Sequence, residues 1–276
     1  GIVVPWRVVA EVLERFKRIP PLENFYEGLD LTEKLGIVKY EPPIPIEMAG
    51  EARPWPSWIK KYDVENIKRP ESLEAIKLIP EGTDVVLTEK LHGTNVTIAL
   101  GPGLEEGERA FVCSRGFALK ESDTNVYWRA ANEFKLVEAL HTIVNRFFVG
   151  FSSIEKICLH GEVIGVQDLK YGFNRGKIGF RAFDISVDGQ FLDYDTFIDI
   201  CTLAEIPVVP LLYRGPYDYD ALNAAAHGNS TIEPSHIREG GVMRPVKEVY
   251  TMGRERVCFK FVSEDYIVRQ GGTEYH

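Results

Sequence analysis

Between residues 84 and 262, short β-branched and apolar runs recur between glycines and charged turns, the pattern of successive strands. Residues 84–90 and 94–100 are two such runs, and they read as a hairpin whose second strand returns along the first. Further strands are predicted over 109–114, 157–163, 179–187, 207–212, 240–245 and 256–262. Apolar positions switch to helical spacing after Ser122 or Asp123, either of which can cap a long helix to about Phe148. Trp128, Phe134, Val137, Leu140, Val144 and Phe147 share its buried face. Helices are also predicted over 195–203 and 217–226. Upstream, Val8, Val9, Val12, Leu13 and Phe16 mark a helix over 7–18 that Pro20-Pro21 ends, and one helical turn is read around Leu31 and Leu35. Pro42, Pro43, Pro45, Pro54 and Pro56 then hold the chain extended, which puts a domain boundary there and separates 1–41 from 42–276. The pattern as a whole is α+β, with mostly antiparallel sheets and helices outside them.

Composition narrows the class. The chain has 276 residues, 45% hydrophobic and 26% charged, as soluble globular proteins do. No apolar run reaches the roughly 18 residues of a membrane span, and no basic-then-apolar leader is present. Cys113, Cys158, Cys201 and Cys258 lie far apart within apolar segments, so reduced thiols and a cytoplasmic location are expected, and a zinc site is not. Residue 1 is glycine, so either an initiator was removed or the chain begins inside a larger protein. A net charge of −9 removes the field of a non-specific nucleic-acid binder. A local groove of lysine and arginine can still hold a phosphate backbone, with steep salt dependence.

Candidate chemistry begins at Lys90. It ends an apolar strand, with Glu89 before it and Gly93-Thr94-Asn95 after it, so its amine can face a cleft as a covalent nucleophile must. An ordinary hairpin with an exposed lysine explains the stretch equally well. Four other patches resemble nucleotide ligands: Ser114-Arg115-Gly116, Gly161-Glu162, Glu239-Gly240-Gly241 and Lys260 inside an apolar strand. A surface ion pair or tight turn accounts for each alone. Lys260 is hardest to dismiss, because a buried ammonium needs a partner.

Taken in order, Lys90-Leu91-His92-Gly93-Thr94-Asn95, Ser114-Arg115-Gly116, Gly161-Glu162, Phe180-Arg181-Ala182-Phe183-Asp184-Ile185, Glu239-Gly240-Gly241-Val242 and Lys260 resemble the motifs of the covalent nucleotidyltransferases. His92 in place of an aspartate, with Asn95 closing the motif, resembles the RNA ligases. Gly36-Ile37-Val38-Lys39-Tyr40-Glu41-Pro42-Pro43 is similar to the Deinococcus-type RNA ligases, and the resemblance runs from Gly1 to about Arg269. It implies the nucleotidyltransferase fold, the ATP-grasp-like adenylation fold of ligases, preceded over 1–41 by the tail of an OB-like domain and a connecting segment. It also implies ATP as the source of a covalent AMP, Mg2+ or Mn2+, and RNA with 3′-hydroxyl and 5′-phosphate ends, duplex or nicked, joined by a monomer in RNA repair. By the same resemblance Lys90 is the catalytic nucleophile and His92 serves the later steps. Glu89, Asn95, Arg115, Glu162, Phe180, Glu239 and Lys260 bind the nucleotide. Phe180 would stack on adenine, with Phe183 as the alternative, and Glu162 and Glu239 would hold the metal. An ATP-dependent DNA ligase or a capping guanylyltransferase shares the motifs, though His92 argues against both. Outside enzymes, a silent RNA-end-binding module is the alternative.

The charges in this set conflict. A model lysine has a pKa of roughly 10.4, leaving on the order of one in a thousand neutral near pH 7. Converging Glu89, Glu162 and Glu239 would raise that value further. A divalent cation on the carboxylates, helped by Lys260, reverses the local field, and magnesium is the default for oxygen ligands and a triphosphate. Two departures from the family stand out. Val262 occupies the place of its second lysine, and only Gly1 to Pro5 resembles the tail of the OB-like domain.

Overall fold

The chain leaves one sheet at Lys90 and enters another at Gly93, so the strands flanking the candidate nucleophile are not hairpin partners. The computed structural model describes residues 50–60, 62–77, 79–147, 154–174, 176–251 and 256–268, all within the unit Ile46–His276. The helix expected over 7–18, the turn around Leu31 and the OB-like tail over 1–41 lie outside the described residues. The strands begin with β1 (Ala52–Arg53), β2 (Glu65–Asn66), β3 (Asp84–Lys90), β4 (Gly93–Leu100), β5 (Phe111–Cys113) and β6 (Ala118–Leu119). They continue with β7 (Ile157–Ile164), β8 (Gly179–Val187), β9 (Gln190–Phe191), β10 (Leu211–Pro216), β11 (Gly240–Pro245) and β12 (Phe259–Val262). The helices are α1 (Pro70–Ile76), α2 (Val126–Glu133), α3 (Leu136–Phe147), α4 (Tyr194–Leu203), α5 (Tyr219–Ala226) and α6 (Glu264–Ile267).

Among the described residues a seven-stranded sheet runs β1-β6-β5-β4-β7-β8-β9 and a five-stranded sheet runs β10-β3-β11-β12-β2. Neighbours are antiparallel except β12 and β2. The expected hairpin fails for a local reason. A two-residue connection needs a type I′ or II′ turn with positive φ, and Leu91-His92 suits neither. Each strand instead pairs on both edges with later parts of the chain: β3 with β10 and β11, β4 with β5 and β7.

One face of each sheet is closed by helices. Val96, Ile98, Leu159, Val163 and Phe180 pack on Trp128, Leu136, Leu140 and Ile143 of α2 and α3. Val85, Leu87, Met243, Phe259 and Phe261 pack on Leu222 and Ala226 of α5. Full burial of side chains of this size contributes roughly 1.5–3 kcal/mol each. The single helix expected to run to Phe148 is broken at Lys135, which has φ 51°, so that α3 turns its own apolar stripe onto the sheet. Its cap is neither Ser122 nor Asp123: the Asn125 side chain accepts the Trp128 N–H at 2.8 Å. The strand expected over 207–212 lies later, at Leu211–Pro216, with Val208 making only an isolated bridge to Ala182.

The two sheets are tied by buried ions. Asp184 on β8 accepts from Arg244 on β11 at 2.8 Å and from Arg256 at 2.6 Å, and both arginines also bond Glu248. Cys113, Cys158, Cys201 and Cys258 are free and buried. No helix among the described residues is long and apolar enough to cross a membrane.

Candidate active site

Because Lys90 ends β3 and Gly93 begins β4, the lysine stands at the junction of the two sheets. Register fixes what surrounds it. Lys90, Gly240 and Val262 form one row across the five-stranded sheet, and Thr88, Val242 and Lys260 form the next, all on one face. In the seven-stranded sheet the corresponding row is Asn95, Glu162 and Arg181.

The side chains meet across the junction. Lys90 is ion-paired to Glu239, which precedes β11 and is largely buried. Burial works against the charge of Glu239, but Lys90 and His92 outweigh it and hold its carboxyl below the usual range. Glu162 feels both groups. Burial pushes its carboxyl up to about 8 against the pull of Lys90, while repulsion from Glu239 adds to the rise. Lys260 is depressed by burial and then by repulsion from Lys90, which puts the two ammonium groups in one field.

Two glycines permit this approach. A Cβ on Gly93 would stand 2.3 Å from the Val163 carbonyl oxygen, and one on Gly240 would stand 1.9 Å from that of Phe261. The Gly93 N–H bonds the Glu162 carboxylate and opposes the rise that burial causes. On the other side, Asn95 and Arg115 line a cavity of about 150 Å³ with Trp55, Tyr62 and Asp63. Arg115 is exposed and 3.5 Å from Asp63.

Two of the expected site residues are elsewhere. Glu89 alternates with Lys90 and so points to the opposite face of β3. Its side chain is fully buried, accepting the Thr231 N–H at 2.9 Å with Arg238 at 4.0 Å. It cannot bind nucleotide through that carboxylate. Phe180 is fully buried on the helix-packed face, 6.0 Å from the Phe134 ring. Its ring occupies the space that a Gly161 side chain would need, with a Cβ there falling 2.3 Å from it. It is core, not a base-stacking platform. The register shift between His160 and Gly161 leaves Phe183 unpaired in β8, and Phe183 is half-buried against Tyr62 with ring centroids 4.7 Å apart. Of the two phenylalanines, Phe183 is the one next to the cavity wall, through Tyr62.

His92 is 5% exposed and held on three sides. Its Nε2 pairs with Asp168, the Tyr266 hydroxyl lies 2.6 Å from its Nδ1, and its backbone N–H donates to the Tyr171 hydroxyl at 2.7 Å. Glu239 lies 3.7 Å from the same Nδ1. Gln167 donates to the Gly93 carbonyl. None of Gln167, Asp168, Tyr171 and Tyr266 was anticipated: the first three lie in a connection with no strand or helix period, and Tyr266 lies in the one-turn helix α6, too short to show one. Tyr171 has φ 49°, a left-handed conformation rare for a bulky residue that the surrounding contacts must hold in place.

Glu162 and Glu239 flank Lys90, and among the described residues no group of three or more metal-binding side chains is assembled. Two carboxylates fit Mg2+ or Mn2+ in the manner that leaves the remaining positions to water and substrate phosphate. This makes a pH prediction for the metal-free protein. Below about pH 4.5 both folded and unfolded Glu162 hold the proton; between there and about pH 8 only the folded one does. Stability therefore falls as pH rises through that interval and levels off above it. Urea unfolding at several pH values measures this slope, and Glu162→Gln or added Mg2+ should flatten it; an equal slope in Glu162→Gln refutes the assignment.

The family model described as RNA ligase matches residues 83–262. Among solved structures the chain is similar to an RNA ligase of Naegleria gruberi, crystallised as a lysine-to-alanine variant with ATP and Mn. Identity is 27%, covering 91% of this chain and 69% of that one, with a TM-score of 0.62. A lysine-to-methionine variant of the same ligase with AMP and Mn matches at 27% identity, 91% and 70% coverage and a TM-score of 0.61. The same ligase with PPi matches equally, at 27% identity and a TM-score of 0.61 over 91% of this chain and 70% of that one. Comparison with the curated proteins found no match.

Proposed function

The chain belongs to the RNA ligase family, and from that premise we propose that it is an ATP-dependent ligase of the Deinococcus type, joining RNA 3′-hydroxyl and 5′-phosphate ends or nicks through lysyl–AMP. One observation carries the reading: Lys90 stands at the junction of two sheets, paired to Glu239, within the field of Glu162 and one strand row from Lys260.

The steps follow from these groups. The Lys90 amine, having lost its proton, attacks the α-phosphorus of ATP; a P–N bond forms and the bond to pyrophosphate breaks. Lys260, facing the same way, offsets charge on the phosphate, and Glu239 orients the amine. An oxygen of the RNA 5′-phosphate then attacks the same phosphorus, the P–N bond breaks, and the amine takes back a proton. Finally the 3′-hydroxyl attacks the RNA 5′-phosphorus and loses its proton to solvent as the new P–O bond forms, and the anhydride bond to AMP breaks. Asn95 and Arg115 line the nucleotide cavity, Phe183 offers the base a face, and His92 acts in the RNA steps. Glu162 and Glu239 would hold Mg2+ or Mn2+, which when bound neutralises phosphate charge and favours the free amine.

Val262 sits in the row of Lys90, so the phosphate side of the cleft has one cation fewer than the family pattern. This favours slow turnover as the distinguishing property, and a silent end-binding module as the second reading. The test is incubation with α-labelled ATP or GTP and Mg2+, followed by nicked duplexes of RNA or DNA. Label stable to denaturation from ATP alone, then sealing of RNA nicks in preference to DNA, is expected. Label from GTP instead would make it a capping enzyme, and no label at all would leave the silent module.

A further inference from the structure

Between Asp168 and Asp184 the sequence carries Lys170, Arg175, Lys177 and Arg181 and no acid, within a chain of net charge −9. The structure describes Lys170, Lys177 and Arg181. Lys170 and Lys177 are exposed, and none of the three has a carboxylate partner among the described residues. Some other exposed cations are neutralised locally: Lys68, Lys77, Lys247 and Arg214 each sit on an acid. An unneutralised strip on an acidic protein attracts polyanions to one place.

This strip is fastened to the catalytic stretch. The β7–β8 connection bonds Gly93 through Gln167 and His92 through Asp168 and Tyr171. Lys170 immediately precedes that tyrosine, and its Nζ reaches the Gly165 carbonyl at 3.5 Å. The Lys177 carbonyl packs on Gly165 as well, lying where a Cβ would be 3.2 Å away. Arg181 neighbours Glu162 across the strands, yet its guanidinium bonds only the Phe180 carbonyl, at 2.7 Å, among the described residues. The same segment therefore grips His92 with one set of side chains and offers free cations with another.

We propose that this connection is the docking strip for the phosphate backbone of the RNA strand whose 5′-phosphate receives AMP. The proposal rests on the ligase reading and adds the surface along which that strand reaches Lys90. Phosphate contacts position a strand without reading its sequence, so the strip should be indifferent to base composition.

The test measures binding of a nicked, 5′-phosphorylated RNA duplex without ATP, at 50 to 200 mM KCl. Wild type is compared with Lys170→Ala/Lys177→Ala and with Lys68→Ala/Lys77→Ala, whose lysines are already paired. Loss of two phosphate contacts should weaken binding about tenfold and reduce the slope of log K against log salt by roughly 1.4–1.8. Label uptake from ATP should stay at the wild-type level, which also establishes that the variant folds. An unchanged slope, or an equal change in the Lys68/Lys77 control, overturns the strip while leaving the ligase reading standing if wild type takes label. Absence of label on wild type overturns both.

Discussion

Lys90→Ala protein incubated with α-labelled ATP and Mg2+ carries no label after denaturing electrophoresis, and Lys90→Arg does no better. The bond to AMP needs a lone pair on nitrogen, and a guanidinium, with a pKa above about 12, has none to offer. Lys260 should not substitute, because it stands one strand row away. Removing Lys90 leaves the largely buried Glu239 with His92 alone beside it, at a cost of roughly 1–3 kcal/mol. Folding should survive that loss, so absence of label reports chemistry. Glu239→Ala should lose most label as well, since the amine then has nothing to orient it. Label on the Lys90→Ala protein at the wild-type level, mapped by mass spectrometry to Lys260, would move the covalent step to another strand and overturn the mechanism.

What makes Lys90 so exposed to this test was readable from sequence, and what surrounds it was readable only in part. Strand positions with strong β-branched runs were visible, and so was their antiparallel character. Lys90, Glu162, Glu239 and Lys260 drew attention because glycines and isolated charges interrupt apolar runs, and their order supplied the resemblance; the structure brings Lys90, Glu162, Glu239 and Lys260 into one electrostatic field. Partner choice was not visible. Leu91-His92 is a poor two-residue turn, a signal in plain sight, yet a pair of adjacent strands is easily read as a hairpin. The resemblance put Glu89 in the site beside Lys90, although alternation along a strand sends neighbours to opposite faces. The same rule separates Phe180 from the cleft, but the bulge that frees Phe183 depends on pairing with β7 and has no local signature. Gln167, Asp168, Tyr171 and Tyr266 belong to the site only through tertiary contact.

The tie between the sheets makes the second large prediction. Asp184 is fully buried and accepts from two arginines; Arg244 and Arg256 also share Glu248, and the Tyr62 hydroxyl reaches Asp184 at 3.0 Å. Asp184→Ala leaves two buried guanidinium groups facing one carboxylate. Breaking a buried pair from one side costs roughly 3–5 kcal/mol, because a desolvated charge is stranded. For a chain of this size that lowers the melting temperature on the order of 10 °C. The effect should extend beyond stability. β8 belongs to the sheet of Asn95 and Glu162, β11 follows Glu239, and Tyr62 lines the cavity of Asn95 and Arg115 and packs against Phe183. Loosening this clamp separates the groups that must meet around Lys90, so at a temperature where the variant is still folded its KM for ATP should rise along with the loss of stability. Asp184→Asn, which keeps the shape and part of the hydrogen bonding, should fall between wild type and alanine on both measures. Urea titration and label uptake, run on the three proteins at 15 °C, separate the two effects. A midpoint shift worth less than about 0.5 kcal/mol for Asp184→Ala would mean that the sheets are held by their apolar faces alone.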